Sequence, residues 1–546
     1  MNLINKKLIS IMACSAILSS GFAFANDGAI GIIGGSDGPT AVFVSSKTES
    51  ILPATELTTE TKESAAPGDL AQNMGMVATP YMGSYETPKE FTVQIEDKIL
   101  VGAKPIIKED RTLLPFRVLF EGLGAEVEYD ASTKTIEAMM GGKDIKMKIG
   151  SKSATVSGQP FNLAVAPLVE GNVTYIPLRD VANISGLTAD YSALQKKINI
   201  YDADALIKKI DSNFKIYNTI LQNAAKNQMN KVFKSNVNMT GNVEFYDNGN
   251  IKKADGALKF DGLSRGMDLN GAFDLKLNLD SFEKDVTAGM SAEEMKLFKD
   301  ILLSKHQIIM DSKNALLYIQ SDALASLMGA EKATWFKISG QSIEGMDQIM
   351  GMMNSGYLVD LMNNPQEATL GKVLYESTKA QADMMMQQGL SSYMPTIYDQ
   401  VDMSVQMLLV LMGDDGFTQN GKVYTMDLDK KALAQRITKF APESAGDINA
   451  VLNSMSALNY KVVLENIDSK DAKMQMLVKG SAKTSDGEAP FSMDVKSAGN
   501  AAAKIDFSIS MPKMGKMVFS MDATSTETGQ SIRLTPPTGA VIQDLG

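Results

Sequence analysis

Thr112-Leu113-Leu114-Pro115-Phe116-Arg117 returns 62 residues later as Thr174-Tyr175-Ile176-Pro177-Leu178-Arg179. The same offset relates Gly124 to Gly186, Tyr129 to Tyr191 and Ile136 to Ile198. One shared hexapeptide can be chance; a constant offset held through Pro, Arg, Gly, Tyr and Ile marks a duplicated structural unit. Each copy reads as a β-rich run, a proline that opens a short helix, a glycine that ends it and another strand, a β-α-β unit. Proline suits a first helical turn, where its missing N–H would be unpaired anyway. Gly124 and Gly186 stand where a left-handed helix terminus is expected. Arg117 and Arg179 fall early in their helices, against the macrodipole, so each is expected to use its charge in a contact, an ion pair within the domain being the plainest.

The wider pattern is Arg111-Thr112-Leu113-Leu114-Pro115-Phe116-Arg117, a helix, Gly124-Ala125-Glu126-Val127-Glu128-Tyr129-Asp130, then Lys134-Thr135-Ile136. Ile149-Gly150-Ser151-Lys152-Ser153-Ala154-Thr155-Val156-Ser157-Gly158 and the second copy follow. Together they resemble the copper amine oxidase N-terminal-like domain of bacterial surface proteins, over residues 91–202. The resemblance implies a stalk or attachment module, not the catalytic part of such an oxidase. Gly186-Leu187 departs from the usual Gly-Ala, with the tyrosine kept. A shorter stretch, Ile30 to Val44, is similar to a glycine-rich membrane segment of sodium-pumping decarboxylase β subunits, where it implies a place in the ion path. Without the flanking helices of that family, it reads as a borrowed or convergent peptide, a sorting or assembly tag.

Residues 1–25 carry Lys6 and Lys7, an apolar run from Leu8 to Ala25 and the ending Ala23-Phe24-Ala25, the pattern of a secretory signal peptide. The only cysteine, Cys14, lies inside it; cleavage would leave no disulfide, thiolate metal site or cysteine nucleophile. Residues 26–90 are a glycine-rich peptide followed by a Ser, Thr, Glu, Ala and Pro linker with too few large apolar side chains to fold. The formal charge of −11 argues against nucleic acid as a partner. No later segment is long and apolar enough to span a bilayer. The expected location is therefore secreted or at the cell surface.

Leu206, Ile210, Phe214, Tyr217, Leu221 and Ala224 fall at helical spacing and predict one linking helix over 203–232. Residues 233–546 then alternate. Phe273, Leu275, Leu277 and Leu279 point one way, as do Ile505, Phe507, Ile509 and Met511, and Met517, Phe519 and Met521. These are half-buried antiparallel strands, with a hairpin turn at Asp247-Asn248-Gly249-Asn250 and a meander to the end. Residues 341–412 interrupt them with Met-rich helical sequence. The fold class is α+β: a small duplicated β-α-β domain, then a larger, mainly antiparallel β domain with a helical insertion. A curved sheet of this kind resembles the half-barrels of lipoprotein carriers in architecture alone.

Groups that carry chemistry are few. Copper amine oxidase activity needs three histidine ligands and a tyrosine in an Asn-Tyr-Asp/Glu setting; this chain has one histidine, His306, and Asn459-Tyr460 precedes Lys461. Gly34-Gly35-Ser36-Asp37-Gly38 fits a nucleophile elbow, but a linker follows it in place of an α/β sheet. His306 reads as a solvent-facing strand residue, and Trp335 as a core anchor or cavity wall more readily than a stacking platform. Met350, Met352, Met353 and Met384 to Met386 are either plain core, an adaptable apolar ligand surface, or soft Cu(I) ligands.

The residues therefore point to an exported, non-catalytic envelope binding or scaffold protein, with cell-wall or surface components as partners and no cofactor or metal. A carrier of a lipid or other apolar ligand is the alternative, and hydrolysis by paired carboxylates a third. No binding residue is singled out beyond the repeat set of Pro115, Arg117, Gly124, Tyr129, Pro177, Arg179, Gly186 and Tyr191.

Overall fold

The computed structural model describes Pro88 and residues 90–545 apart from 229–230, 248–249, 267, 279–290, 292–295, 297–298, 301–302, 315, 340–363, 388–393 and 500–501. The leader, the glycine-rich peptide with Ser36, nearly all of the linker, and Met350, Met352 and Met353 lie outside the described residues. The chain forms two compact units. The smaller runs to Ile210 and takes in Leu374–Ser404; the larger holds Asp211–Val373 and Val405 onward.

The small unit is built around a four-stranded sheet in the order Leu168–Glu170, Val173–Pro177, Arg111–Pro115, Ile106–Lys108. At its centre Leu114 lies opposite Ile176, Leu113 opposite Pro177 and Pro115 opposite Tyr175. Residues separated by the 62-residue offset thus exchange places across the ladder, which makes Leu114 and Ile176 the axis of a local two-fold. Both are fully buried, at 0% exposure, and the outer strands obey the same symmetry.

Each central strand runs into a helix, Phe116–Gly122 and Leu178–Ser185. The prolines do not open these helices from within. Pro115 and Pro177 are the last strand residues and hold the N-cap position in extended conformation, where the fixed φ of proline fits the strand end. The glycines close the helices as expected, with φ of 77° at Gly124 and 75° at Gly186. Ala125 N–H returns to the Phe120 carbonyl and Leu187 N–H to the Ala182 carbonyl, both at 2.8 Å, a Schellman-type ending.

Beyond the helices the halves diverge. Glu126–Asp130, Thr135–Met140, Lys143–Lys148, Ser153–Val156 and Gln159–Asn162 form a five-stranded antiparallel sheet. In the second half Thr188–Ser192 and Lys197–Tyr201 join Thr92–Ile95 and Lys98–Ile99, with Lys197–Tyr201 parallel to Thr92–Ile95. Lys143–Lys148 has no counterpart there. An extra antiparallel strand in one half, absent from the other, leaves a parallel pair where it is missing.

The single linking helix expected over 203–232 is instead two, Ala203–Asp211 and Lys215–Gln228. The apolar stripe runs through both because Phe214, in the break, stays buried. A break exposes backbone donors, and Asp414 accepts from the amides of Lys215 at 2.7 Å and Ile216 at 3.1 Å.

The large unit carries a 14-stranded sheet. From one edge it runs Thr418–Asn420, Val423–Asp429, Met455–Glu465, Lys473–Thr484, Gly487–Ala498, Ala502–Met511 and Gly515–Thr528. It continues through Val232–Asp247, Asn250–Arg265, Asp268–Asn278, Lys305–Asp311, Leu316–Gln320, Trp335–Ser339 and Ile542–Asp544. Neighbours are antiparallel except at the end. The expected meander stops short of the terminus: Ile542–Asp544 leaves it and pairs in parallel with Trp335–Ser339. Register places Leu258, Met239, Met521, Ile505, Val495 and Met476 side by side across six strands. The face that carries this row is mainly apolar, the outcome that period-2 alternation requires, with Ser235, Ser264 and Ser525 buried on it and bonded to one another.

Within the Met-rich insertion the described helices are Leu370–Gln387 and Ile397–Met412. The first is capped from far along the chain, Leu370 N–H to Asn218 Oδ1 at 2.7 Å and Gly371 N–H to Asp211 Oδ1 at 2.8 Å. Among the described residues no helix is long and apolar enough to cross a membrane.

Candidate functional site

On the large sheet the apolar face changes character along its strands. Met521 is 0% exposed and Ile505 6%. One step along the ladders, Phe519, Phe507, Met493 and Val478 form a cross-strand row that is only half-buried. One step further Met517 is 40% exposed, beside half-buried Ile509 and Phe491. Gly241, the ladder partner of Phe519, opens a depression of about 420 Å³ with Gly256, Leu277 and Leu303 on its walls. A side chain at Gly241 would fill part of that depth, whereas one at Gly256 would meet Leu277 Cδ1 at 3.0 Å. Thr240, Asp255, Lys276 and Asn278 also line this open depression, so its wall is mixed.

The single histidine is not solvent-facing. His306 is fully buried, stacked on Phe273 at 4.7 Å, with Nε2 3.2 Å from Ser304 Oγ. It shares its side of the strand with Ile308 and Met310, both in the core, whereas Ile309 on the opposite side joins a satellite cluster with Tyr318 and Trp335. Two adjacent isoleucines disguised the parity. Trp335 is 8% exposed in that cluster, an anchor. Tyr460, of the lone Asn-Tyr pair, is buried and donates its hydroxyl to the Leu411 carbonyl at 2.8 Å. The methionines divide: Met310, Met426 and Met521 are core, while Met386 is exposed.

In the small unit the repeat residues are placed unequally. Arg117 is exposed, 3.9 Å from Glu121 on the next turn and over the Phe116 ring at 5.1 Å; Arg179 is also exposed. Tyr129 packs on the core beside Phe116, whereas Tyr191 is exposed and stacks on Phe91 at 5.8 Å.

A buried polar cluster that the sequence reading missed lies on the hairpin Thr188–Ser192/Lys197–Tyr201. Residues 394–399 cover it. Asp190 stands directly opposite Asn199 in the ladder. Asp190 Oδ2 accepts the Tyr398 N–H at 3.0 Å, and Gln195 accepts the Thr396 N–H at 3.1 Å, so both cap the helix that begins at Ile397. Asn199 donates to Thr396 Oγ1 at 2.7 Å and to Asp399 Oδ1 at 3.2 Å, and the Lys197 ammonium is 2.8 Å from Asp399. Asp190 Oδ1, Asn199 Oδ1 and Asp399 Oδ2 are sealed from solvent without a partner. Burial raises the Asp190 carboxyl from its ordinary range to about 7; the Tyr398 N–H opposes this and the Asp399 carboxylate adds to it. Tyr398 donates its hydroxyl to Asp97 at 2.9 Å. The Lys209 ammonium, then this hydroxyl, hold Asp97 below the usual carboxylate range.

The signal for this cluster was present between the copies. The offset equates Asp190 with Glu128 and Asn199 with Glu137. Glu128 and Glu137 also face each other in their ladder, so a pair of long acids in one hairpin stands where the other has a shorter acid and a neutral amide.

Residues 94–200 match the family model described as copper amine oxidase N-terminal domain, a non-catalytic accessory domain family. No curated protein matches the chain.

Proposed function

We propose that the chain is an exported, non-catalytic protein of the cell envelope in which the duplicated small unit attaches or spaces and the large sheet presents a binding surface. The match over residues 94–200 to a non-catalytic accessory domain carries this reading. The leader-like opening and the local two-fold about Leu114 and Ile176 support it. The test is co-sedimentation of the purified full chain with isolated cell-wall and envelope fractions. Saturable binding without change in the polymer is expected; release of soluble polymer fragments by the chain would sink the proposal.

A second reading, a carrier of a lipid or other apolar ligand, is favoured by the gradation from sealed core at Met521 to open apolar surface at Met517. Phe507→Glu puts a charge in the middle of that row. It is expected to weaken displacement of a fluorescent fatty acid at least about tenfold, since an unpaired carboxylate in an apolar site costs several kcal/mol. Equal displacement by both proteins removes this reading.

A further inference from the structure

Three buried oxygens in the small unit, Asp190 Oδ1, Asn199 Oδ1 and Asp399 Oδ2, lack any donor. They lie in one cluster: Asp190 and Asn199 are ladder partners, and Asn199 donates to Asp399. Acceptors sealed from water need a hydrogen or a cation. A metal ion here would face the Lys197 ammonium, 2.8 Å from Asp399, and the amino end of the helix beginning at Ile397, both of which repel it. A proton meets neither objection. It converts one acceptor into a donor, and Asn199 Oδ1 awaits one across the ladder.

We propose that Asp190 is a proton-operated latch: neutral, its one O–H on Oδ1 donates to Asn199 Oδ1 across the ladder while Oδ2 holds the Tyr398 N–H; ionised, it loosens residues 394–399 from the hairpin. The groups that bear on it from each side are the Tyr398 and Ile397 N–H groups and the Asp399 carboxylate of the covering segment, Lys197 through Asp399, Tyr201 at 3.4 Å through its hydroxyl, and Tyr398, whose own hydroxyl engages Asp97. The raised carboxyl of Asp190 agrees with this geometry. A raised acid stabilises the closed form fully below its unfolded value near 4 and loses that contribution as pH climbs to about 7, so the latch opens toward the alkaline side.

Hydrogen exchange at the Thr396 and Tyr398 amides of the full chain, corrected for intrinsic base catalysis, reads the latch directly. Opening is expected to rise about tenfold per pH unit between about pH 5 and 6 and to level off above about 7. Asp190→Asn keeps an acceptor for Tyr398 N–H and supplies a fixed donor to Asn199, so its profile should be flat. A flat wild-type profile, or the same slope in Asp190→Asn, overturns the proposal. Restored protection at about pH 8 on adding excess calcium or magnesium chloride also overturns it, because the oxygens would then be cation ligands. If the variant does not fold, the wild-type profile and the metal addition still decide.

Discussion

Two hairpins in the small unit stand 62 residues apart with matching ladder registers and have opposite fates. Glu126–Asp130/Thr135–Met140 turns Glu128 outward to solvent and leaves Met139 49% exposed, and Glu137 pairs with Lys146 at 3.2 Å. Thr188–Ser192/Lys197–Tyr201 is covered by residues 394–399, and its matching positions are Asp190, Asn199 and Tyr201, the last 1% exposed. The backbone is alike; the solvent is not. Covering a strand face removes the water that would screen two facing acids, so one is replaced by an amide and a loose methionine by a tyrosine that packs against Tyr375 and Tyr398.

Restoring the exposed hairpin's residue to the covered one should break the comparison most severely. Asn199→Glu buries a third carboxyl group, between Asp190 and Asp399. It is expected to lower the unfolding free energy of the full chain by about 4 to 5 kcal/mol in a urea titration, against near-neutrality for Glu137→Gln. Truncating the paired position comes next. Tyr201→Ala should cost about 3 to 4 kcal/mol, while Met139→Ala stays within about 0.5 kcal/mol. Similar losses from both would mean that the first hairpin is also covered. The shared helix endings supply the control: Gly124→Ala and Gly186→Ala should each cost about 1 kcal/mol, equally, because both force a side chain into the left-handed region. Smallest of all, Arg117→Ala should change the unfolding free energy by less than about 0.5 kcal/mol, since its pair with Glu121 is exposed and long.

The strand ends at Pro115 and Pro177 and the helix endings at Gly124 and Gly186 were legible because proline and glycine are local signals: a strand end and a left-handed terminus need particular residues wherever they occur. Alternation likewise disclosed the apolar side of the large sheet, since Ile505, Phe507 and Ile509 do face Met521, Phe519 and Met517 across the ladder. What stayed hidden depends on distant partners. His306 looks polar in its own strand, and only the ladder with Phe273 explains its burial. The linking helix breaks because Asp414, about 200 residues on, is there to receive its amides. Asp190 and Asn199 draw their meaning from Thr396 and Asp399, similarly remote. Periodicity carries no information about contacts at that separation.

That Leu374–Ser404 belongs to the small unit has a consequence for how the protein is made. Ser192 bonds the Met394 carbonyl across 202 positions of sequence, so the second hairpin stays uncovered while the intervening chain is synthesised and threaded. A recombinant fragment cut after Ile210 would leave Tyr201 and the buried face of the hairpin wet and sticky. A faithful module for grafting must carry the later segment too, stitched back by a linker.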